Sequence, residues 1–208
     1  MRLHGYRRSS ATLRVRLALS LKGLSVPETL YSLPGEWSRE QAERGIAPPG
    51  MMPALELPDG TVIAQSFAIL EWLEEIWPSP PLLPPDPLTR ARVRAFAMMV
   101  TCDVQPLQGR RAHARLCAAG LSEGEAQGWL RQAIAESLDA CETMLCGSSG
   151  PFCFGETPGM ADICLVPQLQ AARQFGVHLA FPRLLAAEAA SMTLPAFQQS
   201  HPEIVYAQ

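Results

Sequence analysis

The chain has 208 residues, 48% of them hydrophobic and 18% charged, with a formal net charge of −3. That length buries a sizeable core as one large domain or two small ones, and the near-neutral balance leaves no global field for nucleic acid, so any anion binding is local. No run approaches the roughly 18 apolar residues of a membrane span, and the opening Met1-Arg2-Leu3-His4-Gly5 lacks an apolar signal core; the expected protein is cytoplasmic, with neither nucleic-acid nor membrane partners.

Residues 2–4 read as a strand, about 12–23 as a helix and 28–33 as a second strand, a βαβ opening. Between the first strand and the helix, Tyr6-Arg7-Arg8-Ser9-Ser10-Ala11-Thr12 gathers hydroxyls and guanidiniums where Leu13, Leu17 and Leu21 begin a helix face, and Ser9 or Ser10 is placed to cap it. Free N–H groups and the positive end of the helix dipole favour an anion there, and a thiolate so placed has a depressed pKa. Ala11 offers no thiol beside the serines, so a thiolate held there arrives on a small molecule, which points towards glutathione. The same residues also read as an ordinary serine N-cap.

After a polar segment comes Ala47-Pro48-Pro49-Gly50-Met51-Met52-Pro53-Ala54-Leu55-Glu56-Leu57, then Pro58-Asp59-Gly60 and the apolar run 61–64. Asp-Gly between two such runs signals a hairpin. Gln65-Ser66 opens a helix that ends at Pro78, with Phe67, Leu70, Leu73 and Trp77 on one face. Residues 78–87 hold six of the 19 prolines, too many for a helix or central strand, and read as a linker. Beyond it nothing reads as strand. A long helix is expected from about Leu88 to Cys117, with Val93, Phe96, Val100, Val104 and Leu107 inward. Ser122-x-x-Glu125 is a capping box for a helix with Ile134, Leu138, Cys141 and Leu145 as its stripe, and another helix runs from Met160 to about Phe175. The six cysteines form no CxxC pair and read as reduced, mostly buried thiols; the four histidines stand apart from one another and from any cysteine pair, so no metal site is expected.

A small βαβ-ββα domain joined by a proline-rich linker to a helical domain resembles the glutathione transferase superfamily, and four motifs narrow the resemblance to its zeta class. Ser9-Ser10-Ala11-Thr12-Leu13-Arg14-Val15-Arg16-Leu17-Ala18-Leu19 is similar to S-S-C-S-x-R-V-R-I-A-L, and Asp103-Val104-Gln105-Pro106-Leu107-Gln108 to D-I-x-P-L-Q-N. Met160-Ala161-Asp162-Ile163-Cys164-Leu165-Val166-Pro167-Gln168 is similar to M-A-D-L-C-L-V-P-Q, and Ala196-Phe197-Gln198-Gln199-Ser200-His201-Pro202 to A-F-x-x-S-H-P. The class contains maleylacetoacetate and maleylpyruvate isomerases. The fold implied is α/β plus all-α: a thioredoxin-like, glutathione-binding domain over residues 1–78, a linker over 79–87, and an all-helical, substrate-binding domain over 88–208, assembled as a homodimer.

The resemblance also assigns roles. Ser9, with Ser10 beside it, faces the glutathione sulfur; Met52-Pro53 corresponds to the family's cis proline, whose preceding backbone pairs with the cysteinyl unit; Gln65 and Ser66 hold the γ-glutamyl end. Arg8, Arg110 and Arg173 are carried over as substrate ligands, with Arg8 also supporting catalysis, whereas Arg14, Arg16, Arg111 and Arg115 read as a solvated face or ion pairs. The chain departs from the pattern at Ala11 in place of Cys, at Gly50 and Met51 in place of Lys and Gln, at Ala64 in place of His and at Gln174 in place of Arg; Gly159 takes a helix-capping Thr or Ser position. The activity implied is glutathione-dependent cis–trans isomerisation of an unsaturated keto or dicarboxylic acid by reversible thiolate addition. The alternatives are a transferase or dehalogenase that consumes glutathione, an isomerase of a bulkier apolar polyene, and a non-catalytic binding protein of the same fold.

Overall fold

A computed structural model describes residues 1–31 and 52–200; the expected end of the second strand, residues 47–51 and the final His201-Pro202 motif lie outside them. The chain divides into two compact units, Met1–Leu82 with Thr193–Gln208, and Leu83–Met192.

In the first unit, β1 (Arg2–Tyr6), α1 (Ser10–Leu21) and β2 (Glu28–Tyr31) form the βαβ opening, followed by β3 (Ala54–Glu56), β4 (Val62–Ala64) and α2 (Ser66–Ile76). The four strands are ordered β2-β1-β3-β4. β1 and β2 are parallel, as a helical crossover requires, and β1/β3 and β3/β4 are antiparallel. Every residue of α1 from Ala11 to Leu19 is buried. Its entry is tightly seated: the Tyr6 N–H donates to Thr12 Oγ1 at 3.2 Å, and a Cβ on Gly5 would lie 2.3 Å from Thr12 Cγ2, so only glycine lets strand and helix approach this closely. At the other end, Lys22 Nζ donates to Glu74 Oε2 at 2.8 Å and to the Trp77 and Pro80 carbonyls, while the same carboxylate accepts the Leu82 N–H at 2.9 Å. Removing one partner of so buried a pair costs about 3–5 kcal/mol. Because Glu74 turns inward to this pair, the buried face of α2 runs through Ile69, Leu70, Leu73 and Glu74, and the expected face is shifted: Phe67 and Trp77 are only half-buried. The short helix Pro195–Gln199 belongs to this unit and buries Phe197.

The second unit is helical: α3 (Pro87–Met98), α4 (Arg110–Ala118), α5 (Glu123–Met144), α6 (Met160–Gln174) and α7 (Pro182–Ser191). The Pro195–Gln199 helix of the first unit follows in chain order as α8. The single helix expected over 88–117 is broken. After α3 the chain widens to a π-helical stretch, Met99–Val104, and tightens to a 3₁₀ turn, Gln105–Gln108, before α4 starts afresh at the extended Gly109. Pro106 supplies the physical reason: it has no N–H for the preceding turn and crowds it sterically. The inward stripe nevertheless holds, with Val93, Phe96, Val100 and Val104 buried and Leu107 half-buried. The Ser122–Glu125 capping box forms at the start of α5, where Ile134, Leu138, Cys141 and Leu145 are fully buried. All six cysteines are free, but only Cys141, Cys153 and Cys164 are buried; Cys117 is half-buried, and Cys102 and Cys146 are exposed. Burial pushes the Cys141 thiol up to about 12, so it is inert at neutral pH.

Candidate active site

The strand register decides which predicted residues meet. His4 lies opposite Ala54, and Ala54 opposite Ala64. The end of β1, the start of β3 and the end of β4 therefore share one edge of the sheet, which carries Arg8-Ser9-Ser10 after β1, Met52-Pro53 before β3, and Gln65-Ser66 after β4. Tyr6 and Met52 pack on the same small cluster with Tyr31 and Ala54.

Ser9 is the N-cap of α1, its Oγ accepting the Thr12 N–H at 3.1 Å. That contact uses an acceptor position and leaves the hydroxyl proton free to meet an anion outside the helix. Ser10 is the first helical residue, half-buried like Ser9. Arg8 precedes them, exposed. Ala11 is only 5% exposed, so the thiol this chain lacks is missing from a packed position and not from an open one. The Met52-Pro53 peptide bond is cis, as the resemblance implies. Gln65 has φ 73° and ψ 117°, the only positive φ outside glycine among the described residues, at the N-cap position of α2. Such backbone costs of order 1–3 kcal/mol and clusters where a ligand is clamped. Ser66 is buried at the first position of α2, and its Oγ accepts from Arg14 Nη1 at 3.4 Å.

Arg14 is a neighbour of this candidate site that sequence reasoning passed over. It is fully buried and tied to Ser66, not placed on a solvated face. The cue was its position inside an otherwise apolar helix, where a charge needs partners. Arg16 does form an ion pair, bidentate to Glu28 at 2.6–3.1 Å.

The remaining candidates sit in the second unit. Arg110 opens α4 and is exposed. Arg173, in the last turn of α6, is held by both oxygens of Glu188 on α7, and this hydrogen-bonded pairing raises its pKa above the ordinary arginine value. Asp162 replaces the missing side-chain cap of α6 from within: its carboxylate accepts the Gly159 N–H and the Cys153 N–H, both at 2.9 Å. An open cavity of about 490 Å³ in this unit is lined by Arg92, Met144, Cys146, Ser148 and Phe154 among others, and contains none of the predicted residues. No helix among the described residues is long and apolar enough to cross a membrane.

Family models for the glutathione S-transferase N-terminal and C-terminal domains match residues 8–76 and 107–189. The chain belongs to the glutathione S-transferase family. A maleylacetoacetate isomerase from Pseudomonas aeruginosa is 43% identical over 97% of this chain and 96% of its own length, and a maleylpyruvate isomerase from a Ralstonia species is 38% identical over 97% of each. Among solved structures, a maleylpyruvate isomerase described as a bacterial zeta-class glutathione transferase superposes with a TM-score of 0.89 at 38% identity, covering 98% of both chains. A maleylacetoacetate isomerase from Anaeromyxobacter dehalogenans, with glutathione bound in its active site, gives a TM-score of 0.86 at 41% identity, covering 98% of this chain and 95% of that one. The zeta-class resemblance and the thioredoxin-like plus all-helical architecture are thus borne out. For this transferase the sheet edge carrying Ser9, Met52 and Gln65 is the candidate active site.

Proposed function

We propose that this transferase catalyses glutathione-dependent cis–trans isomerisation of an unsaturated keto or dicarboxylic acid of the maleylacetoacetate or maleylpyruvate type. The observation that carries the reading is one sheet edge holding an N-cap hydroxyl at Ser9, a cis Met52-Pro53 bond and a positive-φ Gln65 ahead of the α2 N-terminus. The donor set fits a tripeptide thiol: a hydroxyl and free N–H groups for a negative sulfur, a backbone edge for an extended peptide, and a helix N-terminus for a carboxylate. When bound, glutathione supplies the thiolate that adds to the cis double bond and leaves once the resulting single bond has turned, so the thiol is regenerated.

The chain's own residues do the rest. Ser9 donates to the negative sulfur and lowers its proton affinity, with Ser10 supplementing it from the first turn. Gln65 and Ser66 fix the γ-glutamyl end, and buried Arg14 positions Ser66. Arg8 and Arg110 take the substrate carboxylates, and Arg8 also faces the negative charge that develops on the carbonyl side during addition. Arg173 is proposed to act only through the geometry its Glu188 pair imposes on α6, because a substrate carboxylate there would have to displace one already bound bidentately. We place glutathione binding in residues 1–78 and substrate binding in 88–208, and assign the protein to the cytoplasm as a homodimer.

Calorimetry with glutathione tests the first step, and absence of binding at millimolar concentration would hand the fold to the non-catalytic reading. Thiol content followed through turnover of maleylpyruvate or maleylacetoacetate tests the second. Constant thiol with trans product is expected; stoichiometric loss would replace isomerisation by conjugation or halide displacement, and turnover of neutral polyenes in place of these acids would favour the apolar-substrate alternative. Light scattering is expected to give twice the chain mass of 22.6 kDa.

A further inference from the structure

We propose that His113, Cys117 and Glu123 form a site for a borderline-soft divalent cation, with Zn²⁺ as its reference ion. It uses none of the residues assigned to glutathione or substrate, and stands or falls independently of that function.

His113 and Cys117 are four residues apart on α4, so their side chains lie one above the other on a single face. The chain then turns back through Ala119–Ser122, and Glu123, the first residue of α5, presents its carboxylate to the imidazole. Cys117 Sγ is 3.9 Å from His113 Nδ1, and Glu123 Oε2 is 3.2 Å from His113 Nε2. One donor atom from each of the three residues lies within 4.8 Å of the other two. Tetrahedral zinc, bound at about 2.0–2.3 Å, sets its donors roughly 3.3–3.8 Å apart, so three donor atoms within 4.8 Å of one another must draw in by about an ångström around the ion. Because the thiol and the carboxylate approach different nitrogens, the partly exposed imidazole must also turn about its Cβ–Cγ bond to bring one nitrogen to the ion.

The donor chemistry selects the ion. A thiolate and an imidazole with one carboxylate suit Zn²⁺ or Co²⁺ and disfavour Mg²⁺ and Ca²⁺, which take oxygen. His113 and Cys117 are half-buried while Glu123 is open to solvent, so the two softer ligands are held by the helix and the ion enters past the carboxylate. Three protein ligands leave the fourth position to water. An occupied site would staple α4 to the start of α5, and α4 carries Arg110 at its N-terminus, one turn from His113.

The test uses the full chain with Cys102→Ser and Cys146→Ser, which removes the two exposed thiols, titrated with Co²⁺ under anaerobic, chelator-free conditions. We expect thiolate-to-cobalt charge-transfer absorption that saturates at one equivalent and is bleached by one equivalent of Zn²⁺. Adding Cys117→Ser should abolish the band, and His113→Gln or Glu123→Gln should weaken binding at least about tenfold. Zn²⁺ should raise the Tm of the parent and leave that of the Cys117→Ser chain unmoved. If Cys117→Ser does not fold, the His113→Gln titration decides the same question, since it leaves every thiol in place. Absence of a saturable band, or a band indifferent to His113→Gln, would overturn the site and reduce the cluster to a His113–Glu123 contact beside a thiol.

Discussion

At the scale of single residues, Ser9 carries one structural duty and one proposed duty that mutation can separate. As N-cap it accepts the Thr12 N–H at 3.1 Å, and losing such a cap costs about 1 kcal/mol of stability. In the proposed role as donor to a negative sulfur it would make a charge-assisted hydrogen bond, and losing that would remove about 1.5–3 kcal/mol, or roughly 10- to 150-fold in turnover. Ser9→Ala should therefore lower kcat far more than it weakens glutathione binding, with a modest drop in Tm; a silent Ser9→Ala beside a damaging Ser10→Ala would move the sulfur contact to Ser10. Arg173→Gln should behave oppositely. It leaves Glu188, only 10% exposed at its side chain, without its cation, so thermal melting should show lost stability while KM for the acid stays put. The hydroxyls and the cis proline were legible in the sequence because each belongs to a short contiguous motif. Arg14 and the Arg173–Glu188 pair were not, since their partners, Ser66 and Glu188, are 52 and 15 residues away and nothing local announces them.

At the scale of elements, local signals were reliable wherever one side chain closes its own turn. Ser122 and Glu125 cap α5 reciprocally as expected, whereas Asp86, read as part of the linker, proves to cap α3 by accepting the Thr89 N–H at 2.7 Å. Periodicity alone carried the expected helix straight through 88–117, because the inward stripe continues across the π and 3₁₀ stretches; Pro106 and Gly109 were the breakers to weigh against it. The caps also set a pH dependence. Hydrogen bonds from Ser122 hold the Glu125 carboxyl below its ordinary value of 4.5. A depressed folded pKa contributes stability that is present above 4.5 and lost as pH falls through the lowered value. Glu125→Gln keeps an acceptor in the box but no charge, so the stability gap between parent and variant should be open at pH 7 and close progressively below about pH 4.5 in denaturant melts. A gap that stays constant with pH would mean that the charge contributes nothing. Asp162 runs in the opposite sense, since burial raises its carboxyl above 3.8 and the associated stability is lost as pH climbs through that raised value.

At the scale of the molecule, each compact unit carries its own proposed residues. The sheet edge with Ser9, Met52 and Gln65 belongs to the first, whereas Arg110 belongs to the second, at the point where α4 restarts after the Pro106 break. A long unbroken helix would have given Arg110 an interior position; the break makes it the first residue of a new helix, exposed and free of any fixed carboxylate partner among the described residues. If it serves the substrate and not the thiol, its removal should leave the glutathione half of the reaction untouched. Arg110→Ala is therefore expected to preserve glutathione affinity by calorimetry while raising KM for a maleyl-type dicarboxylate, by about 2–5 kcal/mol if the pair is desolvated. Arg8→Ala should do the same and also depress kcat, because the role proposed for Arg8 includes holding the charge that appears only during addition. A neutral cis-enone provides the control. Both variants should turn it over as the parent does, and equal damage on the acid and the enone would remove carboxylate recognition from these two arginines.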